Sequence, residues 1–247
     1  MKWINAGCLV IVIVVNAMAN ALPINGMNTG EISALYPNLF VPAGVTFSIW
    51  SVIYLGLLGF TLYPFISGKM LENRLASLFQ LTCLLNVSWI FAWHYLLTEL
   101  SLAIMLLFLL VLIKIYCRLG ITNNLYYWLV YVPMNIYFAW ICVATIANVT
   151  ALFVKWNIEL PYPGLVTVFL IGVTQVLVWF INSAKTNIPY SLVIVWALSG
   201  IILKTVHNTP IHYEIVLAAA VGILFTIIFT ILRWRNSTDT IKASIRL

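Results

Sequence analysis

Long apolar segments, separated by short polar breaks, follow one another along the whole chain. Eight segments each provide roughly the 20 mainly apolar residues with which an α-helix crosses a bilayer. They are residues 5–22, 43–66, 76–97, 100–117, 125–153, 164–184, 189–206 and 213–233. The breaks carry turn-forming residues, such as Asn25-Gly26 and Asn123-Asn124. Because the bilayer interior offers no water to backbone polar groups, the pattern predicts an all-α polytopic membrane protein with eight transmembrane helices.

The composition favours the same class of protein. Hydrophobic residues make up 64% of the chain and charged residues 7%, with a mean hydropathy of +1.07. A soluble domain is about one-quarter charged. Twelve Lys/Arg and six Asp/Glu are too few to cover a water-facing surface. The composition therefore excludes a cytosolic enzyme, a nucleic-acid-binding domain and a disordered chain.

The positions of the basic residues predict the orientation in the membrane. With the N-terminus inside, ten of the twelve Lys/Arg lie on the inner side, and Lys155 and Lys204 lie on the outer side. Such a bias is typical of cytoplasmic loops. We therefore expect both termini in the cytoplasm and the protein in a bacterial-type inner membrane. The net charge of +6 is then an orientation signal, and no nucleic-acid partner is expected.

The first apolar segment has two interpretations. Lys2, the apolar run to Val15 and Ala19-Asn20-Ala21 also fit a signal peptide with a small-residue cleavage site. Cleavage would leave seven spans without changing the other orientations. We expect the helix to be retained, although the charge bias fits both cases.

Aromatic and amide side chains recur at helical spacing on several spans. Residues three or four apart share one helix face. The sets are Asn16 and Asn20 on the first span; Phe47, Trp50 and Tyr54 on the second; Asn86, Trp89 and Trp93 on the third; and Pro133, Tyr137, Trp140, Ala144 and Asn148 on the fifth. Under the predicted topology most of them lie in the outer half of the membrane. Facing one another, they would form an aromatic pocket suited to a flat apolar ligand. The alternatives are interfacial anchors and ordinary helix contacts.

The longest connection, residues 23–42, follows the first span on the outer side. Loops of this length in compact proteins are often lids. We expect residues 24–42 to control access to the pocket, with a simple tether as the alternative.

Conventional catalytic and metal-binding residues are lacking. All six acidic residues fall in loops, near helix ends or in the tail, and His94 is the one histidine inside a span. We expect His94 to be a hydrogen-bonded structural residue. The four cysteines stand alone in apolar runs. No catalytic residue, no metal site and no required cofactor are predicted, and the lack of ionisable residues at mid-membrane disfavours an ion-coupled transporter.

Three stretches carry a resemblance to a known family. They are Pro42 to Tyr54 with Phe47 and Trp50 between them; Asn86-Val-Ser-Trp89-Ile-Phe-Ala-Trp93; and Ala139 to Asn148, which fits A-W-x-x-x-A-T-x-x-N at every fixed position. In order and in span, they resemble the second, third and fifth helices of the TspO/translocator proteins, also called tryptophan-rich sensory proteins or peripheral-type benzodiazepine receptors. The resemblance covers residues 1–155.

The resemblance implies a five-helix bundle over residues 1–155, followed here by three additional helices in residues 156–233 and a tail, 234–247. It also implies a porphyrin or other tetrapyrrole ligand, with light-dependent porphyrin breakdown the one enzymatic activity left open. A sterol is less favoured, because no sterol-type pattern follows Asn148. The family proline just before Ala-Trp is also missing, and Pro133 stands about one turn earlier. Carried over by position, the expected ligand-binding residues are Phe47, Trp50, Tyr54, Asn86, Trp89, Trp93, Trp140, Ala144 and Asn148.

The function predicted from the sequence is therefore the binding of a flat hydrophobic ligand, tetrapyrrole first, for sensing or trafficking. One alternative is a small-molecule carrier that uses the additional helices. Another is a subunit of a membrane complex without a small-molecule ligand. The expected partners are the ligand and the lipid bilayer, and a homodimer is compatible with the pattern.

Overall fold

The computed structural model describes residues 1–22, 24–159 and 161–245, with side chains up to residue 236. Within these residues the regular structure is helical and includes no strand. The α-helices are α1 (Lys2–Ala21), α2 (Thr29–Ala34), α3 (Ile49–Ile66), α4 (Asn73–His94), α5 (Thr98–Arg118), α6 (Asn124–Tyr126), α7 (Val132–Lys155), α8 (Pro163–Ala184), α9 (Ile188–His207) and α10 (Tyr213–Ile245). Short 3-10 helices, Ile24–Gly26 and Gly44–Ser48, precede α2 and α3, and a π-helical turn, Tyr127–Tyr131, joins α6 to α7.

The prediction of eight transmembrane helices is confirmed for the described residues. Eight helices are long and apolar enough to cross a bilayer. The fifth is longer than predicted, because the π-helical turn keeps the chain helical from Asn124 to Lys155. The protein is therefore an all-α integral membrane protein.

Five long helices and α2 form the first of two compact units, Met1–Asn38 with Phe47–Glu159. Helix α1 packs on α4, α4 on α5, α5 on α7, α7 on α3, and α3 on α1. The five helices therefore form a closed ring.

The buried face of α1 explains its place in this ring. Its buried residues are Asn5, Leu9, Val12, Asn16 and Ala19, which alternate in steps of four and three. Such a seven-residue repeat presents one continuous seam to neighbouring helices. Two asparagines within the seam must find polar partners inside the bundle.

A glycine and a proline set the approach of α3 to α7. A Cβ placed on Gly56 would come to 3.0 Å from the Cβ of Pro133, which is tighter than most such contacts, so that Pro133 would have to shift. Small residues allow helix backbones in a membrane to come close together. Gly56 therefore permits the packing of α3 on α7 that aligns their aromatic faces.

The second unit consists of Leu39–Thr46 and the chain from residue 160 onward. Helix α10 packs on α8 and α9, and α8 packs on α9. The loop predicted as one lid, residues 24–42, is thus divided between the two units after Asn38. The division of the chain into functional parts at residues 155 and 233 stays a prediction.

Polar side chains inside the second unit bind one another. The amide of Asn182 donates to the hydroxyl of Ser191 at 3.0 Å, and that hydroxyl lies 2.8 Å from the Thr230 hydroxyl. The buried face of α8 runs through Thr174, Val178 and Asn182, whereas Trp179 on the same helix is 49% exposed.

Candidate functional site

A ladder of stacked aromatic rings crosses the first unit from α3 to α4. Trp50 stacks on Tyr54 with ring centroids 5.6 Å apart and on Trp89 at 6.4 Å. Trp89 stacks on Trp93 at 5.9 Å, with an interplanar angle of 18°. Spacing by three and four residues along α3 and α4 gives each helix one aromatic face, as the sequence predicts.

Helix α7 contributes two more rings, which meet the stacked rings edge-on. Trp140 meets Trp50 edge-on at 6.4 Å and Phe47 edge-on at 5.8 Å. Tyr137, one turn earlier, also meets Trp50 edge-on, at 6.2 Å. Edge-to-face contacts of this kind are favourable for aromatic rings. We call these rings the aromatic array: Phe47, Trp50, Tyr54, Trp89, Trp93, Tyr137 and Trp140.

Burial divides the array into two parts. The rings supplied by α4 and α7 are buried, whereas Phe47, Trp50 and Tyr54 at the start of α3 are half-buried. The face of the array contributed by α3 is therefore the more accessible one.

The side chain of Asn148 on α7 forms hydrogen bonds to α4 and to α5 beside the array. Its amide oxygen accepts the indole N–H of Trp89 at 3.3 Å and the hydroxyl of Ser101 at 2.8 Å. Its amide nitrogen donates to the carbonyl of Ala144 one turn earlier, at 3.0 Å. Asn148 thereby orients the Trp89 ring within the stack.

Asn86 makes a second amide connection below the ladder. Its oxygen accepts the amide of Asn16 at 2.7 Å, and its nitrogen donates to the Tyr137 hydroxyl at 3.1 Å. Both asparagines are buried. The Tyr54 hydroxyl lies near Asn86 but makes no well-formed hydrogen bond to any described residue.

Trp140 carries a buried donor without an acceptor. The residue is 2% exposed, and its indole N–H has no hydrogen-bond partner among the described residues. A buried N–H that finds no acceptor costs about 1–3 kcal/mol. The ring that carries this donor lies edge-on to both Phe47 and Trp50.

Helix α2 lies over the end of α4 and is held there by hydrogen bonds. Asn28 and Glu31 form a capping box that fixes its first turn: the Asn28 side chain accepts from the Glu31 backbone, and the Glu31 carboxylate accepts the Asn28 N–H at 2.7 Å. Such a box satisfies two backbone N–H groups of a helix start. The pattern Asn-x-x-Glu in the sequence is the signal that would have predicted this helix.

His94 anchors this segment, and the prediction of a hydrogen-bonded structural histidine is confirmed. Its ring nitrogens lie 3.0 Å from the Thr29 hydroxyl and 3.2 Å from the Ile24 carbonyl. Asn25 donates to the backbone carbonyl of His94 at 3.0 Å. The indole of Trp93 donates to the Thr29 carbonyl at 3.4 Å. Residues 24–38 are the part of the predicted lid that lies in the first unit, and from here on we call this part the lid. These hydrogen bonds join it to the last turn of α4.

The lid also reaches the aromatic array directly. Tyr36 contacts the Trp93 ring at a centroid distance of 5.7 Å. Burial raises the pKa of Tyr36, and the nearby Lys155 ammonium partly offsets the rise. The phenol therefore stays neutral beside the indole. Lys155 itself pairs with Glu99 at 2.6 Å.

All nine residues predicted to bind a ligand belong to one connected set. Six are rings of the array, Asn148 binds Trp89, Ala144 supplies the carbonyl that holds Asn148, and Asn86 binds Tyr137. Ligand binding by these residues stays a prediction. The sequence interpretation missed Ser101 and Thr29, and no local signal identifies either, because their partners lie on other helices.

The site is apolar and carries no formal charge. Among the residues that the structure describes, no three His, Cys, Asp or Glu side chains come together as a metal site would require. The groups of the site without a hydrogen-bond partner among the described residues are the buried indole N–H of Trp140 and the buried Tyr54 hydroxyl, and the remaining surface consists of ring faces. They suit stacking and hydrogen bonding.

Comparison with known proteins gives one match. A family model described as TSPO-like protein matches residues 2–232. The matched region extends beyond the resemblance seen in residues 1–155 and includes α8, α9 and α10 as far as residue 232. No curated protein and no solved structure matches the chain.

Proposed function

Because the chain belongs to the TSPO-like protein family, we propose that it binds a flat, largely apolar ligand at the aromatic array, with a porphyrin or related tetrapyrrole as the first candidate. Binding would serve sensing or trafficking in the membrane. Membership of the family supports a membrane protein that binds or senses a ligand, and the aromatic array is the location that we propose for that role.

The observation that carries the proposal is the indole N–H of Trp140. It is buried among stacked and edge-on rings and has no acceptor in the described chain. A ligand with an acceptor atom would satisfy this donor, while its flat body would extend the stack of Trp50 and Trp89. Offset-stacked rings contribute about 0.5–1.5 kcal/mol beyond the area that they bury.

The chemistry of the array favours a particular ligand shape. The Trp50–Tyr54 and Trp50–Trp89 pairs are nearly parallel, with interplanar angles of 21° and 26°, so a broad planar molecule can lie along them. A porphyrin combines such a face with edge carboxylates, and Trp140 can donate to one carboxylate oxygen. A sterol has no aromatic face, and this supports the tetrapyrrole over the sterol.

We further propose an inner-membrane location with both termini in the cytoplasm. Ten of twelve basic residues then lie on the inner side. In that orientation the lid and the first turn of α3 lie at the outer surface, and the ligand gains access from there. The half-buried state of Phe47, Trp50 and Tyr54 supports access from the α3 side.

Binding accounts for the polar residues better than transport does. In the second unit, the buried side chains of Asn182, Ser191 and Thr230 bind one another. Paired groups of this kind stabilise helix packing and leave few free amides to line a path. The proposed activity is accordingly binding, without a general acid or base.

A titration with protoporphyrin tests the proposal. Purified protein in detergent is titrated while quenching of tryptophan fluorescence is followed, with correction for absorption by the porphyrin. The variants are Trp140→Phe with Asn148→Ala and, as a matched control, Trp128→Phe, because the Trp128 ring is 60% exposed and takes no part in the array. Saturable quenching that weakens in the first variant and persists in the control is the expected result.

Two other outcomes would contradict the proposal. Quenching that never saturates and is equal in all three proteins means that porphyrin only partitions into the micelle. Saturable flux of porphyrin across proteoliposomes, abolished by changes in α8 to α10 alone, would favour the carrier instead.

A further inference from the structure

The charged side chains of the first unit are unequally divided between its two ends. At one end, where α1 and α4 begin and α3 and α5 finish, five side chains are basic and one is acidic. They are Lys2, Lys69, Glu72, Arg74, Lys114 and Arg118. At the opposite end, Glu31, Glu99 and Glu159 outnumber Lys155. We call the first of these the basic end, and in the proposed orientation it faces the cytoplasm.

A contact between α4 and α5 brings part of the basic end together. The guanidinium of Arg118, the last residue of α5, donates to the carboxylate of Glu72, which directly precedes α4, at 3.2 Å. Arg74 follows Glu72 by two residues, and Lys114 lies one turn before Arg118 on the same face of α5. Since α4 packs on α5, these three cations surround one end of the α4–α5 interface.

One carboxylate does not neutralise this group of cations. Arg74 and Lys114 are exposed, and neither forms an ion pair with a residue that the structure describes. Arg118 pairs with Glu72, yet 35% of its side chain stays exposed. The group therefore carries an excess of positive charge that an anion can neutralise.

The position of Lys114 within α5 sets the depth at which this anion would lie. Lys114 is an exposed residue of the membrane-spanning helix Thr98–Arg118. It is four residues from the end of α5, so its Cα lies about 6 Å inside the end of the span. A long basic side chain at that depth extends its ammonium group to the headgroup layer. The anions of this layer are the phosphates of phospholipids.

The surface of α5 next to Lys114 is suited to acyl chains. Leu107, Leu110 and Lys114 are spaced by three and four residues and share one helix face. Each of the two leucines is 55% exposed. This face therefore presents an apolar strip that ends in a cation, as a lipid with a charged headgroup requires.

Aromatic rings at the basic end are also typical of the membrane interface. Trp3 meets Phe65 edge-on at 4.9 Å, and the Lys2 ammonium lies 4.7 Å from the centroid of the same ring. Tyr63 meets Tyr126 edge-on at 5.4 Å. Tryptophan and tyrosine concentrate at the level of the headgroups. The rings and the cations of this end thus indicate the same depth.

We infer that Arg74, Lys114 and Arg118 form a binding site for the phosphate of an anionic phospholipid, whose acyl chains lie along α5 at Leu107 and Leu110. A zwitterionic headgroup carries its own cation and gains less from three basic side chains. The site is built entirely from α4 and α5 of the first unit. It goes beyond the proposed function, because it does not depend on any ligand at the aromatic array.

Native mass spectrometry of the whole chain in a neutral detergent tests this inference. The protein is titrated with dioleoylphosphatidylglycerol and, in a parallel series, with dioleoylphosphatidylcholine. The site variants are Lys114→Met and Arg74→Gln, both at exposed positions and neither a member of the Arg118–Glu72 pair. The matched control is Lys2→Met, which removes the same charge from the same end but beside Phe65.

We expect the wild type to bind phosphatidylglycerol more tightly than phosphatidylcholine. Each site variant should raise the Kd for phosphatidylglycerol about fivefold, the factor that one basic residue near an anionic headgroup carries, and leave phosphatidylcholine unchanged. Lys2→Met should match the wild type with both lipids. Unchanged binding in both site variants would overturn the inference. An equal effect of Lys2→Met would also overturn it, because total charge and not a site would then decide the binding.

A further series separates the lipid from its phosphate group. Inorganic phosphate is added to the wild type with bound phosphatidylglycerol, at constant ionic strength. The lipid should stay bound, because its acyl chains contact α5 as well. Displacement by inorganic phosphate at a concentration equal to that of the lipid would overturn the assignment to a phospholipid.

Discussion

The indole N–H of Trp89 and the hydroxyl of Ser101 share a single acceptor, the amide oxygen of Asn148, at 3.3 and 2.8 Å. One side chain of α7 thus satisfies a donor on α4 and another on α5. The orientation of the Trp89 ring depends on this shared oxygen.

Replacing Asn148 by alanine should therefore cost more stability than replacing Ser101 by alanine. Asn148→Ala leaves two buried donors without an acceptor, whereas Ser101→Ala removes one donor and leaves the oxygen to Trp89. Each hydrogen bond between helices in a membrane contributes about 0.6–2 kcal/mol. Thermal unfolding in detergent measures the difference, and equal Tm values for the two variants would contradict the shared role.

Trp140→Phe should weaken ligand binding and lower stability less than Trp89→Phe does. The substitution removes an N–H that has no acceptor among the described residues, and this gain offsets part of the packing lost with the larger ring. We expect a smaller fall in Tm than for Trp89→Phe and a Kd for protoporphyrin raised about fivefold, as for one lost hydrogen bond.

Trp89→Phe is the matched comparison for Trp140→Phe, because its N–H is already bonded to Asn148. That variant should lose stability as well as affinity. If Trp140→Phe binds protoporphyrin as tightly as the wild type, the N–H of Trp140 does not meet the ligand.

His94→Phe should release the lid. The change removes both ring hydrogen bonds, to Thr29 and to the Ile24 carbonyl, but keeps a ring of similar size. Limited proteolysis should then cut residues 24–38 faster, and bound porphyrin should dissociate faster. His207→Phe is the control, since His207 is exposed and, among the described residues, its ring bonds to Leu203 of its own helix.

Helix α1 is expected to remain in the mature protein. Asn16 donates to Asn86, and the oxygen of Asn5 accepts the amide of Gln80 at 2.8 Å. Loss of α1 would open the ring and leave both partners on α4 unsatisfied. The intact mass of purified protein tests this: we expect a mass near 27.9 kDa for the whole chain, and a mass short by the first helix would contradict it.

Sequence alone predicts the helices and the faces of the site well, because both depend on local spacing. Asn86, Trp89 and Trp93 fall on one side of α4 by the period of the helix, and the apolar length of each segment sets the number of spans. The sequence predicts the helix boundaries less closely. The π-helical turn Tyr127–Tyr131 carries no break that would have marked it.

The residues on other helices that these faces contact could not be predicted in the same way. Which donor Asn148 accepts, or which ring Phe47 meets, depends on how helices distant in sequence pack together. The division of the loop after Asn38 is the clearest case, because its second half binds residues of α9. Hydrophobic pattern gives no information on such a pairing.

The sequence distance between residues 39–46 and α9 has a consequence for the order in which the second unit is completed. Thr46 and Trp196 are 150 residues apart. At a synthesis rate of about 5–20 residues per second, roughly 8 to 30 seconds pass between the appearance of one and of the other. For that time the newly made residues 39–46 lack the helix to which they bind. A chain interrupted after its fifth span would therefore leave the carbonyls of Val41 and Thr46 without the donors of α9.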